Sequence, residues 1–304
     1  SEKDASTLLG MTNGSLGMTT GALGMTNGSI GMTSDDSDMI NSVAEMMGVS
    51  KINISEDILA MTECLSAFSS SGLPIFNCRE SGNTLRFMIP IALAKTGGGI
   101  FTGTKKLFER GIGVYEKVLG EKGIKFETVS ELFRPHGEQA GTGESAPHGE
   151  QTRGTQSHAE NFAVKITGKL TSGSFELPGN VSSQYISGLL FALPLLDGES
   201  ILKITPPVES LPYIKMTVDI LQKFGIEITK IKPAENCEDE MNSKCTEGLV
   251  FKIKGNQKYI PSDTEVEGDW SNAAFFYALN ALGNKIEIKG LKNDSLQGDK
   301  ECVE

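Results

Sequence analysis

The chain has 304 residues, a length that favours two domains, each large enough to bury its own core. Its 28 Lys and Arg residues against 39 Asp and Glu residues give a net charge of −11, which argues against a protein that binds nucleic acid by long-range attraction to phosphates. The chain contains no run of 18 consecutive apolar residues and no signal-peptide pattern, so we expect a cytoplasmic protein that makes no use of a membrane.

The first 36 residues repeat a seven-residue unit built on Gly-Met-Thr, from Leu9 to Thr33. A seven-residue period is typical of a coiled coil, but two glycines in each repeat oppose helix formation and no charged positions flank the apolar ones. We expect residues 1–36 to be a low-complexity tail, with a Met-lined binding surface as the alternative.

Two later segments share one pattern, an amphipathic helix, a glycine and then an alternating strand: 114–127 and 216–229. Glycine supplies the left-handed turn that ends such a helix. Further helices are predicted to begin at Ser55, near Gly82, after Ser183 and near Ser271, and strands are predicted at 249–254 and 286–289. The pattern predicts an α/β fold built from repeated small units.

Residues 134–161 are predicted to be a low-complexity surface insertion, because Pro-His-Gly-Glu-Gln occurs there twice. All three histidines, His136, His148 and His158, fall within it. They could form a metal site or supply a general base, but such a sequence has no rigid element to position them. The five cysteines are never spaced as Cys-x-x-Cys, so we expect no disulfide framework and no metal site.

Short polar runs precede three of the predicted helices: 80–84, 181–184 and 209–213. Ser and Asn are favoured N-caps, and capping alone explains each run. The alternative is that the exposed N–H groups, hydroxyls and Gln amide at these helix N-termini bind phosphate or carboxylate. Five basic residues lie near the runs: Arg79, Arg86, Lys105, Lys106 and Arg110.

Six motifs in this order resemble the 5-enolpyruvylshikimate-3-phosphate synthase family: Glu80–Phe87, Gly103–Arg110, Gly179–Leu190, Ser210–Thr217, Val266–Ser271 and Ser295–Asp299. The resemblance implies a two-domain α/β fold of repeated βαβαββ units, with the active site between the domains. It implies a transferase of aromatic amino acid biosynthesis that moves the enolpyruvyl group of phosphoenolpyruvate to the 5-hydroxyl of shikimate 3-phosphate. It implies no metal or organic cofactor, and we expect a monomer.

The same resemblance assigns substrate-binding residues. By their positions in the motifs, Ser182, Ser183, Gln184, Ser210 and Tyr213 resemble the contacts to shikimate 3-phosphate. Gly82 and Gln184, together with Lys106, resemble the contacts to phosphoenolpyruvate.

The chain also departs from the family pattern. Lys106 stands where the family has arginine, Asn83 stands where it has Ser or Thr, and the early Pro-x-Ser-Lys-Ser element is absent. We expect the acid and base residues to lie beyond Glu304, so no catalytic residue is assigned. The predicted domains are 37–266, which binds shikimate 3-phosphate, and 267–304, the first unit of a truncated second domain with exposed apolar surface.

Three hypotheses remain at this point. The chain is a shikimate-pathway transferase present as an incomplete copy, or a non-catalytic remnant or binding module that retains a half-site for shikimate 3-phosphate. The third is a related enolpyruvyl transferase that acts on a sugar nucleotide, against which Ser210–Tyr213 and Ser295–Asp299 argue.

Overall fold

The computed structural model describes residues 55–129, 161–231 and 248–303. The Gly-Met-Thr repeats, the three histidines, Cys237 and Cys245 lie outside the described residues, as does the predicted insertion apart from Asn161. The helices are α1 to α7: Glu56–Ser66, Gly82–Lys95, Lys105–Glu109, Gly113–Gly120, Ser183–Ala192, Leu211–Lys223 and Trp270–Ala281. The strands are β1 to β8: Ile75–Asn77, Gly98–Thr104, Lys125–Thr128, Asn161–Thr167, Ser174–Pro178, Ser200–Thr205, Ile228–Ile231 and Leu249–Ile253.

The strands form two four-stranded sheets with the same topology, in the orders β1-β2-β4-β3 and β5-β6-β8-β7. In each sheet the first two strands are parallel and the remaining pairs are antiparallel, with Ile75 opposite Ile100 in one sheet and Ser174 opposite Ile201 in the other. Each sheet with its helices is a βαβαββ unit, so the prediction of repeated units is confirmed twice in the described part of the chain. We call residues 75–167 the first unit and residues 174–253 the second unit.

The two units share one hydrophobic core, whose centre is the contact between α2 and α5. Eight residues of each helix are buried, which is typical of helices covered on most sides. The helices approach closely at Gly188, where an added Cβ would lie 2.4 Å from both the Arg86 carbonyl oxygen and Tyr115 Oη. Only a residue without a side chain fits at that position.

The glycines of the two shared helix-strand patterns act as predicted. Gly123 has a φ of +83° after α4, and Gly225 has a φ of +78° after α6. A left-handed residue lets the chain leave the helix and enter the next strand without a Cβ clash.

The prediction of a strand at Ile286–Lys289 is wrong, because these residues lie in irregular structure. An alternating segment becomes a strand only when a neighbouring strand accepts its backbone hydrogen bonds. Here the side chain of Asn280 satisfies Ile286 instead, accepting from its N–H at 2.7 Å and donating to its carbonyl at 2.9 Å.

Residues 254–303 continue from the second unit, and α7 is their longest helix. Gln297 fixes the start of α7, because its Oε1 accepts from the Trp270 N–H at 2.9 Å and its amide nitrogen donates to the Gly268 carbonyl at the same distance. Phe275 and Leu282 remain 72% and 82% exposed, so this segment carries the exposed apolar surface that we predicted. No helix among the described residues has both the length and the apolar character needed to cross a membrane.

Candidate functional site

Parallel pairing places the helix starts of each unit at one edge of its sheet. Strands β1 and β2 are parallel, so α2 and α3 begin at the same edge, and the parallel strands β5 and β6 do the same for α5 and α6. Ligands of α/β proteins commonly bind beyond the carboxyl ends of parallel strands. The three polar runs singled out in the sequence all lie at these edges.

The contact between α2 and α5 brings Gly82 and Gln184 together. A Cβ added to Gly82 would lie 3.7 Å from Gln184 Oε1 and 3.1 Å from Arg86 Nη1. The Arg86 guanidinium donates a hydrogen bond to Gln184 Oε1 and covers the Tyr185 ring at 4.9 Å from its centroid. The first turns of the two helices therefore meet around a glycine, an amide and a guanidinium.

Both helix starts are capped by serine. The buried Ser81 hydroxyl accepts from the Thr84 N–H at 3.2 Å, and the exposed Ser182 hydroxyl accepts from the Gln184 N–H at 3.4 Å. Ser183 is the first residue of α5 and is half-buried. The N-terminal N–H groups of both helices carry partial positive charge at this edge.

Ser210 does not cap α6, so of the two interpretations of its polar run the structure does not support capping by this serine. An N-cap hydroxyl accepts from the second or third N–H of its helix, but Pro212 has no N–H and the Tyr213 N–H bonds to the Ser210 carbonyl at 3.2 Å. Ser210 also has a φ of +55°, which is uncommon for a residue with a side chain. Its exposed hydroxyl is therefore available to a ligand.

Tyr213 links the second unit to the C-terminal segment. Its phenol donates a hydrogen bond to Asp299 Oδ2, and a Cβ on Gly298 would lie 3.2 Å from Pro212 Cγ. Two motifs separated by more than 80 residues of sequence, Ser210–Tyr213 and Ser295–Asp299, are thus in contact.

Lys106 is not joined to this group. Its side chain is exposed on the five-residue helix α3, and no hydrogen bond or ion pair connects it with Gly82 or Gln184 within residues 55–129 and 161–231. Lys106 and the start of α2 lie at the same carboxyl edge of the first sheet, and this shared edge is the only relation that the described residues show between Lys106 and the other candidates.

Arg79 is committed to a structural role. It adopts a φ of +50° and forms ion pairs with Glu56 and Glu63 of α1, and the hydrogen bond that it donates to Glu63 raises its pKa. These contacts fasten α1 to the turn that precedes α2. Arg79 therefore lacks a free guanidinium for an anionic ligand.

Tyr115 and Asp299 contribute to the site but were not selected from the sequence. Tyr115 is fully buried, and its hydroxyl lies 2.9 Å from the carbonyl oxygens of both Arg86 and Tyr185. Burial raises the pKa of this phenol. Nothing in the local sequence marks Tyr115, since it is one apolar position of an amphipathic helix, whereas Asp299 belongs to a motif already quoted.

Arg86 is one of the five basic residues near the polar runs, and the sequence motifs alone give it no role. Its spacing of four residues from Gly82 places both on the same face of α2, a signal that could have singled it out. No cluster of three or more His, Cys, Asp or Glu residues that could hold a metal ion occurs in the described ranges. Beside the Arg86 guanidinium, the site offers uncharged donors and helix N-termini, a set suited to binding an anion.

Comparison with known proteins gives a consistent result. The family model of EPSP synthase (3-phosphoshikimate 1-carboxyvinyltransferase) matches residues 154–304. A 3-phosphoshikimate 1-carboxyvinyltransferase of Clostridium beijerinckii is 36% identical over 273 residues, which cover 88% of this chain and 53% of that protein. One from Clostridium acetobutylicum is 39% identical over 228 residues, which cover 75% and 43%.

The chain belongs to the EPSP synthase family. It spans about half the length of the curated relatives that it matches. Among solved structures, EPSP synthase from Acinetobacter baumannii gives a TM-score of 0.42 at 21% identity, covering 68% of this chain and 36% of that one. The family model and the curated relatives confirm the resemblance found in the six motifs at the level of the family.

Proposed function

We propose that the chain carries the shikimate 3-phosphate half-site of an enzyme that moves the enolpyruvyl group of phosphoenolpyruvate to the 5-hydroxyl of shikimate 3-phosphate. The observation that carries the proposal is the meeting of the α2 and α5 N-termini, where Gly82 faces the Gln184 amide. Family membership supports the choice of substrates.

Five residues form the proposed binding surface for shikimate 3-phosphate: Ser182, Ser183, Gln184, Ser210 and Tyr213. The first three lie on the opening turn of α5, where N–H groups and hydroxyls suit a phosphate. Ser210 and Tyr213 lie at the start of the neighbouring helix α6, and the Ser210 hydroxyl is not used by its own helix. Gly82, Gln184 and Lys106 are proposed to face phosphoenolpyruvate.

Residues 1–304 alone are proposed to bind shikimate 3-phosphate without turning it over, because the resemblance to the family assigns no acid or base residue to them. General acid-base catalysis needs a positioned titratable side chain within hydrogen-bond reach of the reacting group. The domain boundaries, the monomeric state and the cytoplasmic location stay predictions.

Isothermal titration of the purified chain with shikimate 3-phosphate tests the binding proposal. The chain is expected to bind, and a Ser182→Ala/Ser183→Ala/Gln184→Ala variant is expected to lose binding. A matched variant, Ser70→Ala/Ser71→Ala/Gln222→Ala, removes the same groups from exposed positions elsewhere and should bind normally. Absence of binding by the folded wild-type chain would refute the half-site.

A turnover assay separates the half-site from a complete enzyme. With phosphoenolpyruvate and shikimate 3-phosphate, the chain alone is expected to release no inorganic phosphate. Phosphate release that depends on shikimate 3-phosphate would show that the chain holds its own acid and base. Release with a uridine-linked amino sugar as acceptor would instead favour the related transferase class.

A further inference from the structure

Arg86 differs from the other basic residues near the site because its guanidinium lies inside the contact between the two units. It extends from α2 to the first turn of α5, where it contacts Gln184 and covers the Tyr185 ring. Its Nε is buried and makes no hydrogen bond within the described residues. A buried donor without a hydrogen bond is costly even on a half-buried side chain, and packing alone does not offset that cost.

The hydrogen bond to Gln184 determines how the amide is oriented. A guanidinium has five donors and no acceptor, so it can meet only the oxygen of an amide. Once Oε1 faces Arg86, the amide NH2 group is turned away from the guanidinium. That NH2 group is the part of Gln184 that can donate to a phosphate or a carboxylate.

The surroundings hold the guanidinium in this position. Its Cζ lies over the Tyr185 ring, and the Tyr185 hydroxyl donates to the Gly111 carbonyl at 2.7 Å. Gly82 leaves room beside it, since a Cβ there would lie 3.1 Å from Arg86 Nη1. The backbone of Arg86 is fixed as well, because its carbonyl oxygen lies 2.9 Å from the Tyr115 hydroxyl.

We infer that Arg86 is a positioning residue, which holds the Gln184 amide with its NH2 group directed to the anionic substrate. Arg86 acts through Gln184 and does not itself need to touch the ligand. The inference rests on the proposed function, because it assigns Gln184 to an anionic ligand. It adds a reason why an arginine, and not another cation, occupies this place in the chain.

A double-mutant cycle between Arg86 and Gln184 tests the inference, with shikimate 3-phosphate as the probe in isothermal titration. Arg86→Met should weaken binding by about tenfold, the effect of losing one hydrogen bond to a charged group. In a Gln184→Ala background the same change should have no further effect, because the residue acts through an amide that is no longer there. Additive losses would mean that Arg86 contacts the ligand directly and would overturn the inference.

Two further variants separate positioning from folding. Gln184→Glu keeps a partner for the guanidinium, so the thermal midpoint should be unchanged or higher while binding is lost with the NH2 donor. Arg86→Lys provides a donor without the planar fork and should recover binding only in part. Lys203→Met, which removes an exposed positive charge on β6, should leave binding unchanged and controls for net charge.

A ligand-free measurement keeps the inference testable if the wild-type chain binds nothing, a result that would refute the proposed function. The side-chain NH2 signals of Gln184, assigned by their absence in Gln184→Glu, should shift in the 1H–15N spectrum of Arg86→Met and not in that of Lys203→Met. Unchanged Gln184 signals in Arg86→Met would overturn the inference whatever the ligand result. Normal binding by Arg86→Met would overturn it while leaving the half-site intact.

Discussion

The two βαβαββ units have the same strand order but differ in the element that joins the second strand to the third. In the second unit this element is one continuous helix, α6, whereas in the first unit it is broken into α3 and α4 at residues 110–112. Gly111 has a φ of +84° at the break. The break redirects the chain so that Tyr115 on α4 lies beneath both α2 and α5.

This departure from the repeat builds the contact on which the site depends. The Tyr115 hydroxyl reaches the carbonyl oxygens of Arg86 and Tyr185, and the Tyr185 hydroxyl donates to Gly111 within the break. The rings of Tyr115 and Tyr185 also meet edge to face, with centroids 4.9 Å apart. The repeated elements supply two helix N-termini, and the irregular element holds them together.

A substitution at Gly188 is expected to have the largest effect on the contact between the units. Gly188→Ala places a Cβ about 2.4 Å from two oxygen atoms, one of them backbone, so the helices must separate. We expect a loss of about 3 kcal/mol in the free energy of unfolding, at the upper end for overpacking. Urea unfolding followed by circular dichroism measures it.

Gly120→Ala is the matched control for that change. Gly120 is also helical, but an added Cβ there has no neighbour within 4 Å. Alanine has the higher helix propensity, so this variant should gain up to about 1 kcal/mol. Equal stability of the two alanine variants would contradict the close approach at Gly188.

Tyr115→Phe removes a hydroxyl from the contact between the two units and leaves the ring in place. Its two carbonyl partners are in the buried contact between units, so we expect a loss of about 2 kcal/mol in the free energy of unfolding. Tyr185→Phe removes a single bond to Gly111 and should cost less. If both variants unfolded at the same urea concentration as wild type, the broken helix would have no part in joining the units.

Much of this architecture follows from the sequence, and the exceptions share a cause. Helix starts at Ser55, Gly82 and Ser183 were predicted because caps and apolar periodicity are local signals. The Ile286–Lys289 segment was predicted wrongly because strand formation depends on a distant partner. Local pattern contains no information about such partners.

In the candidate site, too, local motifs identify individual residues but not their contacts with residues distant in sequence. Motifs identified Gln184 and Tyr213, but their contacts with Arg86 and Asp299 join residues 98 and 86 positions apart. The φ of +55° at Ser210 is uncommon for a residue with a side chain, so the local sequence does not predict it. Whether the seven predicted residues bind substrate stays a prediction.

Alkaline pH should lower the free energy of unfolding, because Tyr115 at the contact between the units is a buried phenol. Burial raises the pKa of Tyr115 above its usual value near 10, so between that value and the folded-state pKa the unfolded chain loses a proton that the folded chain keeps. The contribution of the protonated Tyr115 phenol to the free energy of unfolding is thus fully present below about pH 10. Above that pH it falls by about 1.4 kcal/mol for each pH unit, as it does for any other phenol of this kind. Urea unfolding between pH 8 and 11 should show a shallower decline for Tyr115→Phe than for wild type.

Tyr259→Phe controls for the position of the phenol. Burial also raises the pKa of Tyr259, whose hydroxyl donates to the Phe191 carbonyl of α5 at 2.7 Å and shares no hydrogen-bond partner with Tyr115. Tyr259→Phe should therefore also reduce the fall in the free energy of unfolding at alkaline pH, while leaving the Tyr115 contacts in place. A decline as steep in Tyr115→Phe as in wild type would show that this phenol does not titrate with unfolding.

The smallest expected effects compare two serines that precede helices. Ser81 is buried and caps α2, so Ser81→Ala should cost about 1 kcal/mol, whereas Ser210 makes no capping bond and Ser210→Ala should leave stability unchanged. Ser210→Gly should even gain up to about 1 kcal/mol, because glycine accepts a φ of +55° without strain. If Ser210→Ala lowers the affinity for shikimate 3-phosphate at unchanged stability, the left-handed serine is retained for its ligand. Loss of stability with unchanged affinity would instead make Ser210 a structural residue, and the two helix starts of the second unit would then differ in role.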